Sequence, residues 1–457
     1  MTDPLIPLLA TGGAVALLLL LVLKFRMSAF LALLVSTLLA GLAAGMPPMR
    51  VIESVQAGMG GTLGFIAIIV GLGSIFGALL EASGGIEALA DRLLKSETNS
   101  RISWLLGGLG ILVAIPVFFD VGLIILAPVV FALASRSGTQ PVYLAIPLLA
   151  GLATAHAFVP PTPGPMAVAH LLGADIGWVA LFGAMAGIPA MIIAGPVWAS
   201  KLRSSGWLIG PSGQPGASEK GPRSPDTDAA PAAAPIAAKA FTVIILPLAL
   251  ILVAALAPLV SDDGIITECL QFVGHPFSAL LISCGLAYTL FRPSDPAKQA
   301  AFRSVCERAL EPAGAIILVT GAGGAFKQVL VDTGAGAQLA GVAAGMGLTP
   351  LVSGFLLALI VRVAQGSATV AMITAAGLTA PLVEALALGP KQTALTVVAI
   401  AAGATAASHV NDSGFWLVSR YFALSPSDTL KSWTVSATLI GFTGFCATLG
   451  ISAIIGQ

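Results

Sequence analysis

The sequence predicts an all-α polytopic membrane protein, because apolar residues dominate it and charges are absent from long stretches. Of the 457 residues, 57% are hydrophobic and only 9% are charged, whereas roughly a quarter of residues are charged in soluble globular domains. Charge-free runs long enough to cross a hydrocarbon core of about 30 Å recur along the chain. These runs are 5–23, 27–49, 54–80, 176–200, 240–261, 333–361 and 432–457.

Three features argue against other classes of protein. No basic segment precedes the run 5–23 and no small-residue cleavage site follows it, so we expect a first membrane span and not a cleaved signal peptide. The four cysteines stand singly, so we predict neither a disulfide framework nor a CxxC metal site. The formal net charge is zero, which gives no electrostatic reason to expect a nucleic-acid partner.

Basic residues cluster in some loops between the runs, and the positive-inside rule places such loops in the cytoplasm. One of them is the long polar insert 201–239, which is rich in Pro, Ala, Ser and Gly and is predicted to be a flexible cytoplasmic linker. The acidic segment 261–268 is expected outside. These assignments agree only if both termini are outside and if two apolar stretches, about 103–135 and about 350–381, are re-entrant helical hairpins.

The linker separates two membrane halves, 1–200 and 240–457, that repeat one another. At an offset of 253 positions, His156 meets His409 and Asp175 meets Asp428. The charge-derived orientations of the two halves are opposite, and an inverted repeat is typical of carriers with alternating access. At an offset of 250, the segment holding Gly71, Gly73, Phe76, Leu80, Gly84, Leu89 and Ala90 matches the one holding Gly321, Gly323, Phe326, Leu330, Gly334, Leu339 and Ala340.

In such carriers the substrate lies near the membrane midplane, where broken helices expose backbone amides and carbonyls. The first break falls at 118–122, where Asp120 and Gly122 interrupt an otherwise uncharged stretch. A carboxylate within the membrane indicates a functional site. The alternative is that Asp120 only caps the second helix of the hairpin by accepting backbone N–H groups.

The second break falls at 159–165, where four prolines exclude a continuous helix because each removes a donor and clashes with the preceding turn. It lies in a predicted broken helix at about 141–173. We expect His156, just before the break, and Thr162 within it to line the site. The alternative for His156 is a packing role in an apolar segment.

The third break falls at 362–369, within the second hairpin. Here Gln365 and Gly366 precede the small hydroxyl residues Ser367 and Thr369, which begin a new helix. Free N–H groups at a helix N-terminus bind anions, and Arg362 could add a bidentate contact to a carboxylate. The alternative is that the Arg362 side chain extends to the membrane surface.

The fourth break falls at 408–414, inside a second predicted broken helix at about 393–424. It is the densest polar cluster in any membrane segment of the chain. Packing alone does not explain so many hydrogen-bonding side chains in seven positions. The predicted site residues in it are Ser408, His409, Asn411, Asp412 and Ser413.

The segments around these breaks resemble the gluconate permease family, within a superfamily of two-hairpin ion transporters. The resembling sequences are VFFDVGLIILAPVVFALA (117–134), VPPTPGPMAVAHLLGADIGWV (159–179), RVAQGSATVAMITAAGL (362–378) and SHVNDSGFWLVSRYF (408–422). The resemblance implies proton-coupled uptake, across the inner membrane, of gluconate or a related acid such as idonate, glycerate or D-serine. It further implies an elevator-type homodimer in the lipid bilayer, in which a domain bearing both hairpins moves against a fixed scaffold.

These observations together suggest a mechanism. The substrate carboxylate is expected at the facing hairpin ends, near Gly122, Ser367 and Thr369. Apolar surroundings favour the neutral form of a carboxyl group, so Asp412, and in second place Asp120, is predicted to carry the proton, with His156 or His409 as a partner. Contacts to the substrate hydroxyls are assigned to Asn411, Ser413 and Thr162.

Three other functions are weighed against this one. A channel needs a continuous polar stripe, and here polarity is confined to the breaks. The chain contains neither an HExxH nor a GxSxG motif, either of which would suggest an enzyme. The pattern Gly71-x-Gly73 is interpreted as close helix packing. The main alternative is a sodium-coupled carboxylate symporter. The sodium ion would then be bound by Ser367, Thr369, Asn411 and the Gly366 carbonyl. We expect no other cofactor and no resident metal.

Overall fold

The computed structural model describes residues 5–25, 27–94, 99–115, 117–206, 233–260, 264–311, 313–334, 348–410 and 412–455, and every regular element in these ranges is helical. The helices are α1 (Leu5–Leu23), α2 (Ala29–Ala43), α3 (Pro48–Ala82), α4 (Gly85–Leu94), α5 (Asn99–Ala114), α6 (Phe119–Ser137), α7 (Pro141–Phe158), α8 (Pro163–Leu172), α9 (Ile176–Ile192), α10 (Trp198–Ser205), α11 (Ala233–Val260), α12 (Gly264–Gly274), α13 (Pro276–Phe291), α14 (Pro296–Arg308), α15 (Ala313–Asp332), α16 (Pro350–Gln365), α17 (Ala368–Ala385), α18 (Pro390–Thr405), α19 (Ser413–Tyr421), α20 (Pro426–Thr429) and α21 (Val435–Ile455). The predicted all-α fold is confirmed.

Within the described ranges, six helical segments are long and apolar enough to cross a membrane. A seventh is counted if α12 and α13, which meet at an angle of 60°, form one bent span. Shorter apolar helices, including those on either side of the breaks, supplement them. The six segments are Pro48–Ala82, Pro141–Leu172, Ile176–Ser205, Pro235–Ala254, Ala368–Ala385 and Pro426–Ile455.

Helices end or begin at or next to all four predicted breaks. The first interruption lies before Phe119, so the prediction that Asp120 and Gly122 interrupt the helix is wrong: both lie in the first turn of α6. We call the pair α5 and α6 hairpin 1, and the pair α16 and α17, with its tip at 366–367, hairpin 2. Broken helix 1 consists of α7 and α8, and broken helix 2 consists of α18 and α19. Each hairpin packs against the broken helix that follows it in the chain.

Local chemistry explains where the second-half elements end. Gly366 has φ +88°, a left-handed conformation that glycine adopts without strain. Ser367 then caps α17, because its Oγ accepts a hydrogen bond from the Val370 N–H at 3.4 Å. In broken helix 2, Ala407 adopts φ +55° and donates its N–H to Thr438 Oγ1 at 3.2 Å.

The same order of elements occurs twice: a hairpin, a broken helix, and then a helix with a π-helical segment. The first π-helical segment is Ile193–Val197 and the second is Leu430–Thr434. Each segment accepts a hydrogen bond from the other half: Trp198 Nε1, in α10, donates to the Ser432 carbonyl at 3.1 Å, and Ser436 Oγ, in α21, donates to the Ala194 carbonyl at 2.9 Å. Side-by-side packing of α9 and α21 joins the two halves.

Two details differ from the sequence expectations. Close packing holds for Gly323, where a Cβ would lie 2.6 Å from Ile373 Cγ2, but around Gly73 a Cβ would meet nothing within 4 Å. Gly73 and Gly323, which occupy matching positions in the two halves of the sequence, therefore have different surroundings. Of the predicted linker 201–239, residues 201–205 end α10 and 233–239 begin α11, while 207–232 lie outside the described residues.

Hairpin 1 rests on broken helix 1 through facing glycines. A Cβ on Gly110 would lie 2.8 Å from the Leu152 backbone nitrogen and 3.0 Å from the Gly151 Cα, whereas around Gly108 it would meet nothing within 4 Å. We expect Gly110→Ala to lower stability by about 1–3 kcal/mol, because the added methyl group forces two backbones apart. The thermal midpoint in detergent measures this, with Gly108→Ala, on the same helix, as the matched control. Equal midpoints for the two variants would contradict the packing.

Candidate functional site

Residues at three of the four breaks line one cavity of about 220 Å³, far more than the roughly 15 Å³ that a single water needs. Hairpin 1, hairpin 2, both broken helices, α15 and the second π-helical segment all contribute to its wall. The described residues that line it are Phe118, Phe119, Asp120, Ala153, His156, Ala157, Ile316, Arg362, Ser367, Ala368, Thr369, Met372, Thr405, Asp412, Ser413, Gly414 and Trp433.

A buried ion pair forms one side of the cavity. Arg362, which is 4% exposed, donates from Nη2 to Asp412 Oδ2 at 2.5 Å and from Nη1 to the Gly366 carbonyl. A guanidinium group has five N–H donors. These two bonds use two of them, and Nε is buried without a hydrogen-bond partner among the described residues. The alternative in which Arg362 extends to the membrane surface is therefore wrong, and Arg362, which lines the cavity, retains unused donors.

Asp412 is held by several donors. It caps α19, because Oδ1 accepts the Gly414 N–H at 3.0 Å, and Oδ2 also accepts the hydroxyl of Ser408. Together with Arg362, these groups give the Asp412 carboxylate three hydrogen-bond donors. Ser408 itself is 1% exposed and does not line the cavity. We expected it to contact substrate, and the structure places it behind Asp412 instead.

The N-terminus of α17 faces the same cavity. Ser367, Ala368 and Thr369 line it, and the first N–H groups of an 18-residue helix have no partner within that helix. The partial positive charge of a helix N-terminus attracts anions. Arg362 and this helix end thus form an electropositive wall that is only partly neutralised by Asp412.

The tip of hairpin 1 supplies the opposite wall. Asp120, in the first turn of α6, lines the cavity, and the charge of Asp412 acts on it electrostatically. Gly122 does not line the cavity: its N–H donates to the Phe118 carbonyl at 2.9 Å, and a Cβ there would lie 2.8 Å from Leu152 Cδ2. Gly122 therefore permits close packing against α7 and has no free amide for a ligand.

His156 lies between this cavity and a smaller one of about 20 Å³, whose wall includes Thr162 and Phe118. Its Nδ1 is buried and has no partner among the described residues. Thr162 donates its hydroxyl to the Val159 carbonyl at 2.7 Å, which leaves the oxygen lone pairs available as acceptors. The two residues can therefore offer hydrogen bonds to a ligand that extends away from Arg362.

The remaining predicted residues lie elsewhere. Gln365 ends α16 and is absent from the described lining of the cavity. His409 directs Nε2 to the Val363 carbonyl at 3.0 Å, so it ties broken helix 2 to hairpin 2. Asn411 lies outside the described residues. The cavity thus brings together Asp120, His156, Ser367, Thr369, Asp412 and Ser413.

Sequence reasoning missed the aromatic part of the wall. Trp433 stacks on Phe119 with ring centroids 5.3 Å apart and donates Nε1 to Ser408 Oγ at 2.8 Å. A signal was available, because a buried indole N–H needs an acceptor and Trp433 lies in the apolar run 432–457. No group of three or more His, Cys, Asp or Glu side chains within the described ranges is placed to hold a metal ion.

Comparison with known proteins matches residues 5–455 to the family described as "GntP family permease". The chain is 42% identical over 444 residues to the low-affinity gluconate transporter of Escherichia coli K12, covering 95% of this chain and 96% of that one. It is 36% identical over 440 residues to a gluconate permease of Pseudomonas aeruginosa, with 96% of each chain covered. The Gnt-II system L-idonate transporter of Escherichia coli K12 is 35% identical over 451 residues, with 98% and 100% covered.

The fold is similar to the crystal structure of the Alcanivorax borkumensis YdaH transporter, with a TM-score of 0.60 over 90% of each chain. Sequence identity is 16%, so this likeness concerns the fold alone. The family and the relatives are permeases and transporters, which agrees with the prediction that the chain is not an enzyme.

Proposed function

Because the chain belongs to the GntP family of permeases, we propose that it imports gluconate or a related small hydroxylated carboxylate by proton symport. Relatives at 34–42% identity over nearly the whole chain are gluconate transporters. The observation that carries the proposal is that buried Arg362, whose Nε has no hydrogen-bond partner among the described residues, lines a cavity between the two hairpins and the two broken helices.

The carboxylate of the substrate binds at the wall formed by Arg362 and the N-terminus of α17. Arg362 Nε and the hydroxyl of Thr369 donate to its oxygens, and the helix end supplies backbone N–H groups. A monoanion suits this wall, because two of the five guanidinium N–H groups are engaged by Asp412 and the Gly366 carbonyl and the remaining donors can bind one carboxylate.

The hydroxylated end of the substrate extends towards His156 and the smaller cavity. A polyol offers both donors and acceptors; His156 Nδ1 has no partner among the described residues, and the Thr162 oxygen, which donates its proton to Val159, keeps lone pairs that can accept. Ser413, which lines the main cavity, adds a further hydroxyl group. Asn411 is also assigned to this end of the substrate.

Charge balance favours proton coupling. Arg362 and Asp412 neutralise each other, so an entering carboxylate adds a charge to a buried site, which is costly unless it is compensated. A proton on Asp412 restores neutrality and frees Arg362 for the substrate. Asp120, in the same cavity, is the second acceptor. His156 lines the cavity as well, whereas the contact of His409 with Val363 makes it an indirect partner.

Sodium coupling is the alternative, and the contacts of its proposed ligands weigh against it. The Gly366 carbonyl already accepts a hydrogen bond from Arg362. Ser367 Oγ accepts from the Val370 N–H. A sodium ion at the Gly366 carbonyl would lie beside the positive charge of Arg362, which repels it.

Uptake of labelled gluconate into proteoliposomes, with an imposed inward proton gradient and sodium absent or present, tests the proposal. We expect accumulation that needs the proton gradient and is unchanged by sodium. Strict sodium dependence would overturn the coupling assignment. Uptake of D-serine or glycerate without any uptake of gluconate would change the substrate and retain the carrier.

The same assay tests the polyol end through His156→Phe, which keeps a ring in place and removes Nδ1. Loss of one hydrogen bond predicts a roughly threefold to tenfold higher KM for gluconate. Glycerate lacks the distal hydroxyl groups, so its KM should change less. His170→Phe is the matched control, because His170 stacks on Phe65 away from the cavity. Equal changes for both acids would refute this placement.

The proposal also covers the architecture and the movement of the carrier. The twofold order of hairpin, broken helix and π-interrupted helix supports an inverted repeat, in which the two halves have opposite orientations. We extend this to an elevator-type movement of the hairpins, to a homodimer, and to a cytoplasmic position for the central loop. Cross-linking of engineered cysteine pairs between protomers tests the homodimer, labelling of the loop from each side tests its position, and cross-links within a protomer between hairpin and scaffold helices test the movement.

A further inference from the structure

Trp433 begins a chain of hydrogen bonds that ends at the ion pair. Its Nε1–H donates to Ser408 Oγ at 2.8 Å, and Ser408 Oγ donates in turn to Asp412 Oδ2, the oxygen that also accepts from Arg362. All four residues are buried. The proton-binding carboxylate of the proposed function is therefore connected to an indole on the last long helical segment of the chain.

The direction of the chain follows from the chemistry of its members. An indole N–H group can only donate, so Ser408 Oγ must accept from Trp433 with a lone pair. The single hydroxyl proton of Ser408 is then free to point at Asp412, and it stabilises the ionised carboxylate. Hydrogen bonds in such a chain polarise one another, so the donor to Ser408 strengthens the bond from Ser408 to Asp412.

The second π-helical segment fixes this geometry. Trp433 and Thr434 are neighbours within Leu430–Thr434, and Thr434 Oγ1 donates to the Ser408 carbonyl. Both ends of Ser408 are thus held by one segment. Trp433 also stacks on Phe119 at the tip of hairpin 1, so its ring orientation is determined by packing as well as by the hydrogen bond.

We propose that Trp433 is a positioning residue that acts through Ser408 to set how tightly Asp412 holds its proton, and hence the pH range of uptake. This inference rests on the proposed function. Among the residues that the structure describes, the other charged or titratable groups around Asp412 are Arg362, Asp120 and His156, which line the same cavity, and His409, whose carbonyl accepts the Asp412 N–H. Trp433 differs from them because it has no charge of its own.

The test is the pH profile of gluconate uptake in proteoliposomes carrying Trp433→Phe, which retains an aromatic ring and removes only the N–H donor. Without that donor the ionised form of Asp412 is less stabilised, so it takes up a proton at higher pH. We expect the pH of half-maximal uptake to rise by about 0.5–1 unit. Trp416→Phe is the matched control, since its Nε1 donates to the Val410 carbonyl at 2.8 Å outside the cavity.

Ser408→Ala removes the hydroxyl that connects Trp433 to Asp412, so it should shift the pH profile of uptake in the same direction. The double variant Trp433→Phe/Ser408→Ala should match Ser408→Ala alone, because residues in one chain of hydrogen bonds do not act additively. A wild-type profile in Ser408→Ala, or additive shifts in the double variant, would overturn the inference, even if Trp433→Phe alone failed to fold. Absence of wild-type uptake at every pH would instead overturn the proposed function.

Discussion

Arg362→Gln is expected to lower kcat/KM for gluconate roughly 100-fold, the largest loss that we predict for any single substitution. A charge-assisted hydrogen bond contributes about 1.5–3 kcal/mol, and Arg362 offers its Nε to the substrate carboxylate. Glutamine keeps a donor but removes the charge. Initial rates of labelled gluconate uptake over a range of concentrations measure the effect.

A second effect of this substitution must be separated from the first. Arg362→Gln leaves Asp412 buried without its partner, and breaking a buried ion pair costs about 3–5 kcal/mol of stability. Arg362→Gln/Asp412→Asn removes both charges and should recover folding without recovering gluconate binding. Arg420→Gln, on the exposed face of α19, is the control for a lost arginine. Wild-type affinity in the double variant would refute the assignment of the carboxylate to Arg362.

Asp412→Asn is expected to have two effects of opposite sign. Gluconate should bind roughly tenfold more tightly, because the buried guanidinium has lost its internal partner and the substrate carboxylate replaces it. Accumulation driven by a proton gradient should be lost, because an amide cannot take up the proton. Counterflow of labelled gluconate, which needs no net driving force, measures what transport remains.

The control for Asp412→Asn is Asp175→Asn. Both aspartates cap a helix N-terminus, Asp412 through the Gly414 N–H and Asp175 through the Trp178 N–H at 2.9 Å. Asparagine caps about as well as aspartate, so neither substitution removes the cap, although Asp412→Asn also leaves buried Arg362 without its charged partner. Accumulation of gluconate by Asp412→Asn against a concentration gradient, at near the Asp175→Asn level, would show that the proton is carried elsewhere, with Asp120 next to be tested.

Much of the architecture could be predicted from local features of the sequence. Hydropathy indicates the membrane helices because burial in lipid requires long apolar runs. The prolines at 160, 161, 163 and 165 exclude a continuous helix, and Gly366 followed by Ser367 supplies the left-handed residue and cap that a new helix needs. These effects involve residues that are close together in the chain, so they can be predicted from the sequence alone.

The partners across the cavity could not be predicted in the same way. Arg362 and Asp412 are 50 positions apart, and only tertiary packing decides whether an arginine in an apolar run pairs internally or extends to the surface. Gly122 shows the reverse case, since a glycine beside an acid suggested an open backbone and the structure uses it for contact with Leu152. Trp433 went unnoticed because its role depends on Ser408, 25 positions earlier.

The Arg362–Asp412 pair also determines how the membrane potential acts on the carrier. Moving one elementary charge across a membrane changes its energy by about 2.3 kcal/mol per 100 mV. The two charges of the pair cancel in the empty cavity, and one gluconate anion with one proton adds no net charge. With that stoichiometry, and with Asp120 of the same cavity in one protonation state throughout, the loaded and the returning carrier move the same charge. The electrical part of the proton-motive force then contributes nothing over a full cycle, and the difference in pH alone drives accumulation.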